Sequence, residues 1–319
     1  MGTGWTDNDI GDLDGRTAIV TGANSGLGWW MARSLAAHGA HVVMACRNHD
    51  KASAAADEIR AQTPDVSLEI RVVDVADLGS IRRFANDWGE RAVDILINNA
   101  GVMATPKRAT VDGFELQIGT NYLGAYALTG LLLPALEAAP EARVVAITSF
   151  AAYGGRIALT NLNSTRHYQK WVAYSQSKLA DVVFANELER RARAASLDLI
   201  SLSAHPGYSA THLQSVGPQM SGRQISAHFW AATNKYFAQA PRCGSWPALY
   251  AATAPDMVGG LVIGPDQWQG ARGHPRVVGT PRAALDPVLG RMLWDESARL
   301  TGVDFGLAEA PRPVDRLQR

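Results

Sequence analysis

The feature that most constrains this chain is a regular alternation in its first half. Short apolar runs, "TAIVT" (17–21), "AHVVMAC" (40–46), "LEIRVVDV" (68–75), "DILINNA" (94–100) and "RVVAITS" (143–149), are separated by helical patterns at about 26–38, 50–62, 77–90 and 112–138. The first, fourth and fifth runs are nearly continuous in apolar residues, which suits strands buried on both faces. A further helix at about 172–195 leads into "LDLISLSAHPG", a strand ending in a turn. Strand and helix in alternation build βαβ units, and these require a parallel sheet with right-handed crossovers. The expected fold is α/β, a doubly wound parallel sheet in a single domain. Pro134 lies late in the fourth helical stretch and is expected to bend or end it.

No internal repeat and no linker divides the chain. Its 319 residues, 47% of them hydrophobic, suffice for one large core. Residues 1–14 read as an N-terminal extension, 15–307 as the main domain with a less regular region at about 208–240, and 308–319 as a polar tail that frays. Lys+Arg and Asp+Glu both number 30, so no basic excess points to nucleic acid. Only Cys46 and Cys243 are present, which implies no disulfide framework and a reducing, cytoplasmic setting. "MGTGWTDNDIGDLDG" lacks the basic and apolar regions of a secretory signal, although it fits the loose Met-Gly-x-x-x-Ser/Thr pattern of N-myristoylation. No apolar run approaches the ~20 residues of a membrane span. The eight histidines are scattered, without an HExxH or Cys/His cluster, so no metal site is expected.

"TGANSGLG" (21–28) follows the first strand and opens the first long helix. Gly22, Gly26 and Gly28 permit a tight turn and close backbone approach, and the helix N-terminus attracts a pyrophosphate. With Asn24, Ser25 and Leu27 they form a candidate dinucleotide turn; an ordinary glycine-rich turn is the rival reading. After the second strand, where an acidic residue would meet a free ribose 2′-hydroxyl, the chain has Arg47. An arginine there pairs with a 2′-phosphate, so NADP(H) is favoured over NAD(H). A solvated surface arginine is the alternative. Asp74 and Val75, after the third strand, are candidates for the adenine; a helix cap is the rival role, better placed at Asp77.

"YSQSK" puts Tyr174 and Lys178 four residues apart, on one face if the stretch is helical. Alone, such a pair is unremarkable. With "TGANSGLG", "INNAG" (97–101), Ser149, "YSQSK" and "HPG" (205–207) in this order, the chain resembles the short-chain dehydrogenase/reductase family from about residue 15 to 213. "ILINNAGVM", "DGFELQIGTNYLGAYALTGLLL" and "AYSQSKLADVVFANEL" look like its retinol-dehydrogenase-like branch. The resemblance implies a Rossmann-like fold and an NADP(H)-linked oxidoreductase interconverting a hydrophobic alcohol and its carbonyl. It further implies cofactor contacts at Asn98, Asn99, Ala100 and Gly101, at Pro206, Gly207 and Thr211, and at Tyr174 and Lys178. For Asn98 a purely structural role stays open.

Reducing a carbonyl takes a hydride at carbon, from the cofactor, and a proton at oxygen, from the protein. Tyr174 is the candidate general acid, and its phenolate the base in the reverse direction. Free tyrosine titrates near ~10, and moving it to ~7 takes about 4 kcal/mol. One ammonium at ~4 Å supplies about 1 kcal/mol in water but about 4 at an effective dielectric near 20, so Lys178 can serve only in a partly dry site. Ser149 is the candidate donor to the substrate oxygen, with a turn-residue role as rival. No G-x-S-x-G elbow surrounds it, which argues against a serine hydrolase. Asn121 matches the family position whose backbone holds a water near the lysine; a helix-breaking role is the alternative.

Phe150, Tyr153, Trp171, Tyr208, Phe229, Trp230 and Trp246 suggest an apolar substrate pocket, while Trp29 and Trp30 read as core or interface. Two competing functions stand beside the oxidoreductase: a non-catalytic redox sensor on the same fold, and lyase or epimerase chemistry with the same cofactor. Family members often pair helices into dimers or tetramers, and the helices at 112–138 and 172–195 would serve a homo-oligomer or a monomer equally.

Overall fold

The apolar runs form the centre of one eight-stranded sheet, in a computed structural model that describes residues 4–208, 239–255 and 257–308. β1 (Thr17–Thr21) pairs in parallel with β2 (His41–Cys46) on one side and β4 (Ile95–Asn98) on the other. β3 (Leu68–Val72) extends one wing, and β5 (Ala142–Ile147), β6 (Leu199–Ala204) and β7 (Val262–Gln267) extend the other. The order 3-2-1-4-5-6-7-8 reverses direction between β1 and β4, where open parallel sheets bind ligands. β8 (Arg272–Val278) closes the far edge antiparallel to β7.

Helices cover both faces, as continuous apolar strands require. α1 (Gly26–Ala37), α2 (His49–Gln62) and α7 (Pro241–Thr253) share one core layer. α3 (Leu78–Trp88), α4, α5 (Leu133–Glu137), α6 (Lys170–Ala194) and α8 (Pro287–Thr301) share the other. α4 comprises Leu116–Ile118, a π-helical segment Gly119–Leu123, and Gly124–Leu131. The long helical stretch expected at 112–138 breaks at Leu132, and Pro134 sits in the first turn of α5, where it lacks no needed donor. The third strand stops at Val72, short of the expected 75, because the Asp74 carboxylate turns back to accept the Ala76 N–H at 3.0 Å.

Two parts of the periphery are more ordered than the sequence suggested. In the N-terminal extension Asp7 is buried and accepts hydrogen bonds from Ser34, Arg242 and Trp246, while Ile10 enters the core. On the opposite side, α8 and residues 303–305 pack on α4 and α6. The Trp294 ring lies 5.3 Å from Tyr126, 5.9 Å from Phe184 and 4.4 Å from Phe305, and Tyr122 bonds Ser297 at 2.6 Å. Part of the α4 and α6 surface that a homo-oligomer would use is thus covered by the chain itself. No helix among the described residues is long and apolar enough to cross a membrane.

Candidate active site

Two clefts open where the parallel strands end. The first, of about 280 Å³, is walled by the glycine-rich turn, Arg47, Asp74, Val75 and residues 99–102. Gly22 has φ +67°, the left-handed region that favours glycine, and a Cβ on Gly28 would stand 2.3 Å from the Gly22 carbonyl oxygen. Asn99 fastens the turn from the neighbouring strand, its amide donating to the Thr21 carbonyl at 2.7 Å. Ser25, at the N-cap of α1, makes no side-chain cap, so the N–H groups of the first turn remain available to an anion. This cradle fits a dinucleotide pyrophosphate. Arg47 stands at the rim, 77% exposed, with Nη1 3.8 Å from Asp74 Oδ2.

The second cavity, of about 530 Å³, is lined among the described residues by Ser149, Phe150, Gly207, Tyr208 and the tip of the β7–β8 hairpin, 268–271. Ser149 caps a short 3-10 turn, Phe150–Gly154, by accepting the Ala151 N–H at 3.3 Å, and its hydroxyl hydrogen is left for another acceptor. Neighbouring Thr148 is buried and donates to the Lys178 carbonyl at 2.6 Å, so it anchors α6.

α6 starts where the Gln169 side chain accepts the N–H groups of Trp171 and Val172. One turn later comes Tyr174, 7% exposed, with Trp171 edge-on at 6.2 Å. Another turn on, Lys178 is buried; its Nζ donates to the Ile147 carbonyl at 2.7 Å and to Asp181 Oδ2 at 2.9 Å. A Cβ on Gly101 would stand 3.8 Å from that Nζ and 3.0 Å from Asn121 Oδ1, so the lysine head reaches the floor of the first cleft. The Asn121 side chain is fully engaged: it accepts from the Val102 N–H at 2.7 Å and donates to the Val102 carbonyl and Ser177 Oγ, both at 2.9 Å. What Asn121 has to offer is its backbone, at the centre of the π-helical segment, where hydrogen bonds run one residue further than in an α-helix.

A profile of the short chain dehydrogenase family matches residues 16–220, well over half of the chain. The chain belongs to the short-chain dehydrogenase/reductase family. Human retinol dehydrogenase 13 is 38% identical over 309 residues, covering 94% of this chain and 89% of that protein. Mouse polyprenol dehydrogenase is 37% identical over 305 residues, covering 92% and 85%. Among solved structures, an uncharacterised Mycobacterium paratuberculosis protein matches with TM-score 0.79 and 44% identity over 96% of this chain and 100% of that one. A protein described as an NAD(P)-dependent gluconate 5-dehydrogenase from Beutenbergia cavernae, with bound NADP, matches with TM-score 0.61 and 29% identity over 79% and 95%. The enzyme is an NAD(P)-dependent oxidoreductase acting on CH–OH groups, in the retinol-dehydrogenase-like branch.

Some residues singled out in the sequence stand elsewhere in the enzyme. Asn98 is turned into the protein, its amide donating to Thr129 Oγ1 at 2.9 Å, while Asn99 faces the cleft. Asp77 caps α3 through the Ser80 N–H, as its position suggested. Trp246 packs flat against His274 at 5.3 Å and bonds Asp7, so it belongs to the N-terminal contact and not to the substrate cavity. Pro206 lines a small pocket with Leu27, which also lines the cofactor cleft, and its carbonyl accepts from Gln239 Nε2 at 2.7 Å. Trp29 is in the core. Thr211, Phe229 and Trp230 fall outside the described residues.

Other residues at the site were not foreseen. Ala45, Val73, Val102 and Thr120 join the cofactor cleft, and Trp268 and Gln269, at φ +49° and +55°, shape the hairpin tip at the second cavity. Ala45 and Val73 take their place from strand ends, Val102 from the loop after β4 and Thr120 from the π-helical segment, positions that no side-chain chemistry announces. His205 is buried beneath Phe150 and Tyr153, and its Nδ1 accepts the Gly207 N–H at 3.3 Å. Burial pushes its pKa down to about 4, so it is a neutral ring that shapes the loop after β6. Among the described residues no group of three or more His, Cys, Asp or Glu could hold a metal ion.

Proposed function

We propose that the enzyme interconverts a long apolar alcohol and its aldehyde or ketone, with NADP(H) preferred over NAD(H) and Tyr174 as general acid and base. The observation that carries this reading is the burial of Tyr174 and Lys178 on one face of α6, with the lysine head at the floor of the glycine-lined cleft. Ser149 lines the separate, largely apolar cavity that would take the substrate. The relatives named retinol dehydrogenase and polyprenol dehydrogenase support the substrate class, since both alcohols are long and apolar. Arg47 at the cleft rim supports the cofactor preference.

The glycine turn and the N-terminus of α1 would hold the pyrophosphate, and Arg47 the 2′-phosphate. When bound, the nicotinamide cofactor supplies or accepts the hydride. The remaining work falls to the protein. The Ser149 hydroxyl donates to the substrate oxygen and orients it. The Tyr174 hydroxyl delivers its proton to that oxygen in reduction and retrieves it in oxidation. Lys178 favours the phenolate through its charge, which is effective because the site is nearly dry. The backbone at Asn121 offers a route for the proton onward from Lys178 to solvent through water.

The test is an absorbance screen at 340 nm, NADPH against NADH, over retinoid, polyprenoid, steroid, fatty and aromatic carbonyls. Turnover of a long apolar carbonyl is expected, and Tyr174→Phe should lower kcat by about 10² to 10⁴-fold, the usual range for a lost general acid. Retention of activity within tenfold by Tyr174→Phe would remove Tyr174 from the mechanism.

A further inference from the structure

Tyr174, Lys178 and Asp181 occur at i, i+4 and i+7 on α6, so all three side chains leave one face of the helix. Asp181 is among the most buried carboxyls of the described residues, with a side chain 3% exposed beside a Lys178 side chain 7% exposed. It caps no helix and receives no backbone N–H among the described residues; its hydrogen bond is the one from Lys178 Nζ, at 2.9 Å. A carboxylate so placed costs several kcal/mol of desolvation, which an apolar or amide side chain would avoid. Packing alone therefore gives no reason for an acid here.

We propose that Asp181 is a positioning residue for Lys178: it holds the ammonium against the Ile147 carbonyl at the cleft floor and sets the net charge that the Tyr174 phenol experiences. The proposal rests on the Tyr174–Lys178 reading above. With Asp181 ionised the pair is close to neutral, and Tyr174 feels a dipole. With Asp181 neutral the full ammonium charge acts on the phenol. Burial pushes the Asp181 carboxyl above the usual carboxylate range, against the pull of Lys178 that holds its charge.

The groups facing Asp181 leave it to this task. From α4, Tyr122 feels its charge, but the Tyr122 hydroxyl is engaged with Ser297 at 2.6 Å. From β5 the neighbouring group is the Ile147 carbonyl, which binds the same ammonium. Further along α6, Glu187 is engaged by Arg190 and Arg191.

The experiment is the pH profile of kcat/KM for alcohol oxidation, with saturating NADP+, for wild type, Asp181→Asn and Asp181→Glu. Each variant is first checked by circular dichroism melting. Two helical turns separate Tyr174 from Asp181, about 10 Å, so deleting the carboxylate charge at an effective dielectric near 20 should move the acidic limb down by about one pH unit. Asp181→Glu keeps the charge and should keep the wild-type limb. If Asp181→Asn does not fold, Asp181→Ser is read in the same way. An uncharged variant whose limb stays at the wild-type pH overturns the proposal, whatever its rate. The underlying reading fails separately: active Tyr174→Phe refutes it, whereas inactive Tyr174→Phe with an unshifted Asp181→Asn limb refutes only the role of Asp181.

Discussion

Replacing Arg47 by leucine tests the proposed preference for NADP(H). The guanidinium stands at the cleft rim, 77% exposed, with only a 3.8 Å contact to Asp74. That contact is long and solvated, so losing it has little effect on stability. A hydrogen bond to a charged group is worth about 1.5–3 kcal/mol, and exposure here places the 2′-phosphate interaction nearer the lower end. At about 1.4 kcal/mol per tenfold, kcat/KM for NADPH should fall roughly 10- to 30-fold in Arg47→Leu. NADH has no 2′-phosphate, so its kcat/KM should stay within about twofold. The assay is the initial rate at 340 nm with each cofactor at several salt concentrations. Because exposed charge pairs are screened over a Debye length of ~10 Å at 0.1 M, the wild-type preference should shrink as salt rises, and that of Arg47→Leu should not. Equal losses with both cofactors, or a wild-type preference for NADH, would refute the reasoning.

Two further outcomes are expected. Trp294→Ala removes a buried ring packed on Tyr126, Phe184 and Phe305, and urea unfolding should show about 3–5 kcal/mol of destabilisation. His205→Asn should flatten the acid sensitivity of folding: a ring held neutral at a pKa of about 4, against 6.5 when unfolded, gives stability that is full above pH 6.5 and is lost as pH falls toward 4. The wild type should therefore lose about 3 kcal/mol more than the variant between pH 7 and pH 4 in denaturant titrations, and parallel curves would place the proton elsewhere.

The sheet was legible because its strands are buried on both faces. A strand covered on each side by helices must be apolar at nearly every position, so β1, β4 and β5 stand out as continuous runs. The site motifs were legible for a different reason: Gly22 adopts a left-handed backbone that favours glycine, and the proposed roles of Ser149, Tyr174 and Lys178 are ones that few other residue types can fill. Asn98 shows the limit of that logic. Its motif directed attention to the cleft, yet the Asn98 side chain turns into the protein toward Thr129, and it is the residues that follow the strand, Asn99, Ala100 and Gly101, that line the cleft.

The last third was illegible because its elements serve edges and covers. β8 has one strand neighbour among the described residues, lies antiparallel and includes exposed positions, so it lacks the apolar continuity that marks the inner strands. α8 buries a single stripe, Leu293, Trp294 and Ser297, against helices that are themselves already packed on the sheet. Such contacts depend on what happens to lie opposite in space, which no local pattern records. Asp181 makes the same point at the site. In sequence it is one more polar residue on a long helix; only its burial against Lys178 shows that the acid and the ammonium must be considered together. Lys178, chosen in the sequence for its charge, carries its own counter-charge in the fold, and the proposal above is that Tyr174 responds to the pair and not to the ammonium alone.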